Sequence, residues 1–430
     1  MFDVREKPRM VERALLVGTF HHGESEDGAL RLLDELEELV ETLGIGIEGK
    51  MLARVREPNP RFLVGKGKAE EIIARAEAHE CDCVVFDAEL TPGQQRNWET
   101  LSKLCVIDRQ EVILDIFSER ARTKEAVLQV ELARSEHALP RLKNAWAHLS
   151  RQRGGGVTQR GEGEAQSELD QRMVRRQIAK LKSELEQVVR HRKTQRSQRQ
   201  RIPIPTAAIV GYTNAGKSSL LNKLTGSEVL AEDKLFATLD PTTRHLVLPR
   251  GQKVLLTDTV GFVRKLPHGL VEAFKATLEE AVQSDFLIHV IDLTNPDMAE
   301  HFETTHQVLE ELGVADKPTL YVFNKVDAFD LNGSPKPASL DDSTLPVKDG
   351  FFVSALTGRG LPELQAEMEK LLAASRATMQ LRIPHARYDV LSRLHDIGAV
   401  RHEKVEEEGI EVVALVPPSL EGLVREFRRE

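Results

Sequence analysis

The chain has 430 residues, about three domains at roughly 150 residues each. Hydrophobic residues make up 40% and charged residues 30%, which excludes a wholly disordered chain. Formal net charge is -9, and no apolar run approaches the ~18 residues that span a bilayer.

The N-terminus opens on Asp3, Arg5, Glu6 and Lys7, which does not read as a signal peptide. Ala14 to Gly18 is a predicted strand. Ala29 to Leu43 is a predicted amphipathic helix, with Leu32, Leu33, Leu36, Val40 and Leu43 at helical spacing. The segment Val64-Gly65-Lys66-Gly67-Lys68 is Gly-rich and basic and precedes a helix over Ala69 to Ala78. Its spacing is too short for a nucleotide fingerprint, so a phosphate at the helix N-terminus and a plain turn both remain open. Val84 to Phe86 and Val106-Ile107 are short apolar strands flanking a helix from Gln94 to Lys103. Residues 1–118 thus form an N-terminal α/β domain. The cysteines are Cys81, Cys83 and Cys105, too few for a disulfide scaffold, and are expected as thiols on or near a buried strand in a reducing cytosol.

Residues 119–201 turn helical and basic. Between Arg134 and Arg201 stand 17 lysines and arginines against 7 acids, inside an otherwise acidic protein. Leu128, Leu132, Ser135, Leu139, Leu142, Trp146 and Leu149 alternate spacings of four and three, as do Val174, Ile178, Leu181, Leu185 and Val188. Two such stripes predict an antiparallel helical hairpin, with Pro140 kinking its first arm. The connection at 151–164 is Gly-rich and carries Arg151, Arg153 and Arg160. Concentrated positive charge with a bare backbone points to contact with nucleic acid.

Residues 202–375 carry the chemistry. The strand Ala207 to Val210 runs into Gly211-Tyr212-Thr213-Asn214-Ala215-Gly216-Lys217-Ser218, and a helix follows. This is the phosphate-binding loop in its strand–loop–helix setting: backbone N–H groups surround phosphates, Lys217 offsets their charge, and the Ser218 hydroxyl suits Mg²⁺. The strand Val254 to Asp258 ends in Asp258-Thr259-Val260-Gly261. Asp258 can serve the Mg²⁺ shell, and the Gly261 N–H can meet a terminal phosphate. A third strand ends in Asn324-Lys325-Val326-Asp327. A buried Asp327 carboxylate can accept the two donors of guanine, a pair that adenine lacks. Asn324 would brace the neighbouring loops, and the Lys325 stem would cover the base. A fourth strand end, Ser354-Ala355-Leu356, places the Ala355 N–H toward guanine O6. Four loops at strand C-termini predict a doubly wound P-loop GTPase domain, within an α/β multidomain chain. No acceptor-substrate motif favours a kinase. Residues 376–430 are expected as strand, helix, strand, helix, a small C-terminal α+β domain.

This constellation resembles the translation-factor-related GTPases. Lys234 to Pro241 resembles the first switch of the branch that includes Obg and HflX, where Phe236-Ala237-Thr238-Leu239-Asp240 would make Thr238 the switch threonine on Mg²⁺, ahead of Thr242 and Thr243. Phe62 to Ala69, Val106 to Phe117 and Leu128 to Leu132 resemble the HflX family specifically, over about residues 12–375. The resemblance implies a cytoplasmic, monomeric GTPase, also found peripherally at membranes, that binds GTP, GDP and Mg²⁺. It implies binding to the large ribosomal subunit and splitting of stalled or idle ribosomes under stress, with the hairpin tip reaching toward the peptidyl-transferase region. The alternative is a GTP-gated RNA-binding or ribosome-assembly scaffold with incidental hydrolysis. The tip here reads Arg160-Gly161-Glu162-Gly163-Glu164, where the family has proline at the centre, and Thr158 replaces a common glycine. An acid at the tip weakens contact with RNA phosphates.

For hydrolysis, Lys217, Thr238 and Gly261 are the expected catalytic residues. The position after Gly261, where Ras-like enzymes carry a water-orienting glutamine, is Phe262. Intrinsic turnover near ~10⁻⁴ s⁻¹, raised by the ribosome, is therefore expected. Asn214 resembles the asparagine that holds K⁺ in related GTPases; loop bracing is the other role open to it.

Overall fold

The computed structural model describes residues 11–145, 160–199, 204–227, 235–265, 278–329, 346–347, 349–374, 377–416 and 418–428. They fall into two compact units that divide between Glu186 and Gln187.

In the first unit β1 (Arg13–His21), β2 (Gly46–Val55), β3 (Cys83–Phe86) and β4 (Cys105–Asp108) form an all-parallel sheet in the order β2-β1-β3-β4. The helices are α1 (Glu26–Thr42), α2 (Lys66–Ala78), α3 (Pro92–Ser102) and α4 (Arg109–Arg120). Parallel strands are covered on both faces, which is why Leu15, Leu16, Val84, Val85 and Phe86 are all buried without alternation. Thr91 and Gln94 form a capping box that starts α3, and this orients Trp98, whose Nε1 donates to the Phe62 carbonyl at 3.0 Å. Strand β2 is missed by the apolar pattern, because its residues Gly46 to Lys50 are only partly buried or exposed. Cys81 and Cys83 are buried, whereas Cys105 is exposed.

Helix α5 (Lys124–Ala145) continues through Pro140. Its Arg141 reaches Asp108 at 3.2 Å and Gln95 at 2.8 Å, while the neighbouring Arg109 sits between Asp87 at 2.8 Å and Glu35. Each of these arginines meets more than one partner, as charge taken out of water demands. Helix α6 spans Arg160–Arg199. Residues 160–164 therefore belong to a helix rather than to the expected connection: the good helix formers from Glu164 onward carry the backbone back through Gly161 and Gly163. The rest of the expected connection, 151–159, and Trp146 and Leu149 lie outside the described residues. Lys182 pairs with Glu136 at 2.8 Å, joining α6 to α5.

In the second unit β5 (Thr206–Gly211), β6 (Thr242–Val247), β7 (Lys253–Asp258), β8 (Phe286–Asp292), β9 (Thr319–Asn324) and β10 (Phe351–Phe352) form a sheet in the order β10-β9-β8-β5-β7-β6. Only β6 runs antiparallel to its neighbour. Strand β5 lies between β7 and β8, so the order reverses beside the phosphate-binding loop, where α/β sheets open their ligand crevice. Helices α7 (Lys217–Thr225), α8 (Met298–Glu311) and α9 (Leu361–Ala374) cover the sheet. The last segment has β11 (Ala377–Ile383), α10 (Tyr388–Asp396), β12 (Val400–Glu406), β13 (Gly409–Val416) and α11 (Pro418–Val424), with an antiparallel sheet ordered β11-β13-β12. It holds one strand more than expected, because β12 and β13 pair through a tight turn at Glu407-Glu408. No helix among the described residues is long and apolar enough to cross a membrane.

Candidate functional site

The loop after β5 is bent by residues in special backbone conformations. Gly211 has φ +145°, Asn214 +59° and Gly216 +90°. A Cβ on Gly211 would lie 2.3 Å from the Val290 carbonyl oxygen, so only glycine lets β5 and β8 close at this point. Lys217 follows as the first residue of α7 and is 6% exposed. Its Nζ donates to the carbonyls of Gly211 at 3.1 Å and Tyr212 at 2.6 Å. Burial lowers its pKa to about 8, with Asp258 opposing the shift. The cleft beside it is lined by Thr213, Asn214, Gly216, Lys217, Ser218, Ser219, Phe236, Ala237, Thr238, Thr259 and Gly261.

Three oxygens from distant segments meet at its floor. Ser218 Oγ donates to Asp258 Oδ2 at 2.6 Å, Thr238 Oγ1 donates to the same oxygen at 2.9 Å, and the two hydroxyls are 2.8 Å apart. Asp258 is fully buried, and its Oδ1 has no partner among the described residues. Burial pushes its carboxyl up from the ordinary range, with Lys217 and the two hydroxyls pulling it down. All three are hard oxygen donors, and an unsatisfied buried carboxylate oxygen calls for a cation, so this set fits Mg²⁺. Of the threonines weighed for this place, Thr238 is the one at the carboxylate. Thr243 instead faces Thr257 at 2.9 Å on the β6–β7 pair. Phe236 is buried at φ +54°, and Leu239 is buried beside it, which anchors the segment that presents Ala237, Thr238 and Asp240.

The loop after β7 is fixed to the phosphate-binding loop through the backbone. Thr213 N–H donates to the Phe262 carbonyl at 2.8 Å, and Phe262 N–H to the Gly211 carbonyl at 3.2 Å. Thr259 Oγ1 donates to the Ile209 carbonyl at 2.7 Å, and Val260 is buried. The Phe262 ring is 2% exposed and packs inward, so it has no polar atom to offer the cleft.

On the other side, Asn324 joins two loops. Its Nδ2 donates to the Ala215 carbonyl at 2.9 Å, and its Oδ1 accepts from the Ala355 N–H at 3.0 Å. The Ala355 N–H expected at guanine O6 is thus engaged by Asn324, because β9 and β10 end side by side. Lys325 has φ +66° and its Nζ pairs with Asp292 at 2.7 Å. Val326 is buried. Asp327, expected to be buried, is exposed, because it follows on a short 3-10 turn at the rim of the sheet. Ser354 is buried and accepts from Thr357 N–H at 3.0 Å, while Leu356 is 76% exposed. Asp292 and Arg264 escaped the sequence reading. Asp292 ends β8 and could have been found by the strand-end rule that found the other four loops. Arg264 donates from its N–H to the Tyr212 hydroxyl at 2.7 Å and from Nη1 to Asp297 at 3.0 Å, contacts with no local signature.

Three family models match the chain: the GTP-binding GTPase N-terminal family over residues 31–118, the GTP-binding GTPase Middle Region over 120–199, and the 50S ribosome-binding GTPase over 206–325. The chain is 49% identical to GTPase HflX of Akkermansia muciniphila, over 99% of each chain. It is 41% identical to GTPase HflX of Escherichia coli, over 93% of this chain and 92% of that one. A GTP-binding protein from the hyperthermophilic archaeon Sulfolobus solfataricus, solved with GDP, is 28% identical with a TM-score of 0.42, covering 84% of this chain and 98% of its own. With relatives of this identity along nine-tenths or more of its length, the chain belongs to the HflX family of GTP-hydrolysing enzymes.

Proposed function

We propose that this protein is a GTPase that binds the large ribosomal subunit and splits stalled or idle ribosomes under stress, hydrolysing GTP to GDP and phosphate. The observation that carries it is the match to the 50S ribosome-binding GTPase model over the strands that build the cleft. GTP is held with its phosphates along the Gly211–Ser218 loop and its guanine at Asp327, whose open carboxylate is accessible to the base. Ser218, Thr238 and Asp258 hold Mg²⁺, which when bound neutralises charge on the phosphates. Lys217 offsets further charge, and the Gly261 N–H holds the switch loop to the terminal phosphate. Asn214 holds K⁺, and a rate in NaCl equal to that in KCl would refute this role. The basic arms of 119–201 meet ribosomal RNA, and the protein acts as a monomer in the cytoplasm.

Sedimentation of vacant ribosomes with this protein and a non-hydrolysable GTP analogue tests the proposal. Separation into subunits is the expected result. Binding without separation would favour the scaffold reading, which the inward-facing Phe262 also favours, since that residue leaves hydrolysis slow without help.

A further inference from the structure

The Thr213 hydroxyl is the unexplained polar group of the cleft. Thr213 is 6% exposed, it lines the cleft, and its Oγ1 has no hydrogen-bond partner among the described residues. The neighbouring hydroxyls are committed: Ser218 and Thr238 to Asp258, Thr259 to the Ile209 carbonyl. Lys217 is committed to two backbone carbonyls. A buried hydroxyl without a partner is costly, and a partner that arrives with the ligand accounts for it.

The position is also fixed. A Cβ built on Gly261 would meet Thr213 Cα at 2.7 Å, Thr213 Cγ2 at 2.8 Å and Lys217 Nζ at 2.9 Å. Thr213 therefore stands, with its Cγ2 methyl toward Gly261, where the loop after β7 and the phosphate-binding lysine come together, and Gly261 is the residue that the GTP reading of the cleft sets at the terminal phosphate. The Thr213 N–H to Phe262 carbonyl bond holds its backbone there. Phe262 itself supplies nothing that could orient water.

We infer that Thr213 is a catalytic residue of GTP hydrolysis: its Oγ1 accepts a hydrogen bond from the attacking water and donates one to an oxygen of the terminal phosphoryl group only as the transition state forms. This rests on the reading of the cleft as a GTP site. In the step, the water oxygen forms a bond to the terminal phosphorus. The bond from that phosphorus to the bridging oxygen breaks, and GDP leaves with the electron pair. The proton of the water ends on the released phosphate. The Thr213 O–H bond stays intact, so the residue orients the nucleophile rather than consuming a proton.

The test uses the full-length protein with vacant ribosomes. Thr213→Val keeps the shape and removes the hydroxyl, and Thr213→Ser keeps the hydroxyl. Single-turnover GTP hydrolysis is expected to fall about 100-fold in Thr213→Val and to stay near wild type in Thr213→Ser. Affinity for a non-hydrolysable GTP analogue should stay within roughly 3-fold in both, while Thr213→Val weakens binding of GDP with aluminium fluoride, a mimic of the transition state. A wild-type rate in Thr213→Val overturns the inference. So does a loss of analogue affinity as large as the loss of rate, which would make Thr213 a ground-state or structural contact. Should the valine variant fail to fold, Thr213→Ala carries the same comparison. A wild-type protein that neither binds nor hydrolyses GTP would instead overturn the reading of the cleft, an outcome separable from the others.

Discussion

Gly216 faces Asn324 so closely that a Cβ on the glycine would lie 2.2 Å from the Asn324 amide nitrogen. At φ +90°, Gly216 also holds a backbone conformation that side chains disfavour. The two residues are neighbours because Asn324 donates to Ala215, the residue just before the glycine. A methyl at 216 would push the amide away and release both the phosphate loop and the Ala355 loop. Gly216→Ala is therefore expected to weaken GTP and GDP binding by at least about 100-fold, measured by calorimetry, with the fold retained by circular dichroism.

Asp327 is open at the rim, so its side chain can change without disturbing the core. A carboxylate only accepts hydrogen bonds, whereas an amide also donates. Asp327→Asn is expected to lose at least roughly 100-fold in GTP affinity and to gain xanthosine triphosphate binding. Unchanged preference for GTP in a competition assay would remove Asp327 from base recognition.

His289 lies in the middle of β8, 2% exposed, with its ring stacked on Phe302 at 5.1 Å. Burial lowers its pKa to about 3, and the positive charges of His306 and Lys217 push the same way. The folded state therefore binds this proton less readily than the unfolded chain. Its contribution is fully present above the ordinary histidine value and is lost as pH falls from 6.5 toward 3. At ~1.4 kcal/mol per pH unit, stability should drop on the order of 3 kcal/mol from about pH 6.5 to about pH 4.5. Urea unfolding across that range should show a flatter acid limb in His289→Gln than in wild type; parallel curves would contradict the assignment.

Gly398, at φ +64°, approaches the turn between β6 and β7: a Cβ would lie 2.5 Å from the Gly251 carbonyl oxygen. The same turn is held by Glu369, which accepts from the Arg250 N–H at 2.7 Å. Strand β7 leads from it to Asp258. Gly398→Ala is expected to destabilise this unit by about 2 kcal/mol, through backbone strain and displacement of the turn. The loss should appear in the urea midpoint of the full chain, and Glu369→Gln should cost less, because the amide oxygen can still accept.

What could be read in the chain before its fold was known was whatever lies within a few consecutive residues. The run from Ala207 to Ser218 declares a strand, a phosphate loop and a helix start, because those N–H groups, Lys217 and Ser218 act from adjacent positions. Asp258, Asn324 and Ala355 were legible for the same reason, each ending an apolar strand. Periodicity revealed the buried face of α1 and, at Leu128 and Leu132, part of that of α5, because helical spacing is a local property.

The tertiary fold decided the rest, because it depends on which distant segments touch. The bond between Asn324 and Ala215 crosses 109 positions, and the one between Arg250 and Glu369 crosses 119. No short window contains either. The exposure of Asp327 followed from where the strand edge places it, and the idle hydroxyl of Thr213 emerged only once Ser218, Thr238 and Thr259 had found their partners. Composition names the groups that can bond, but only packing determines which of them are left without a partner.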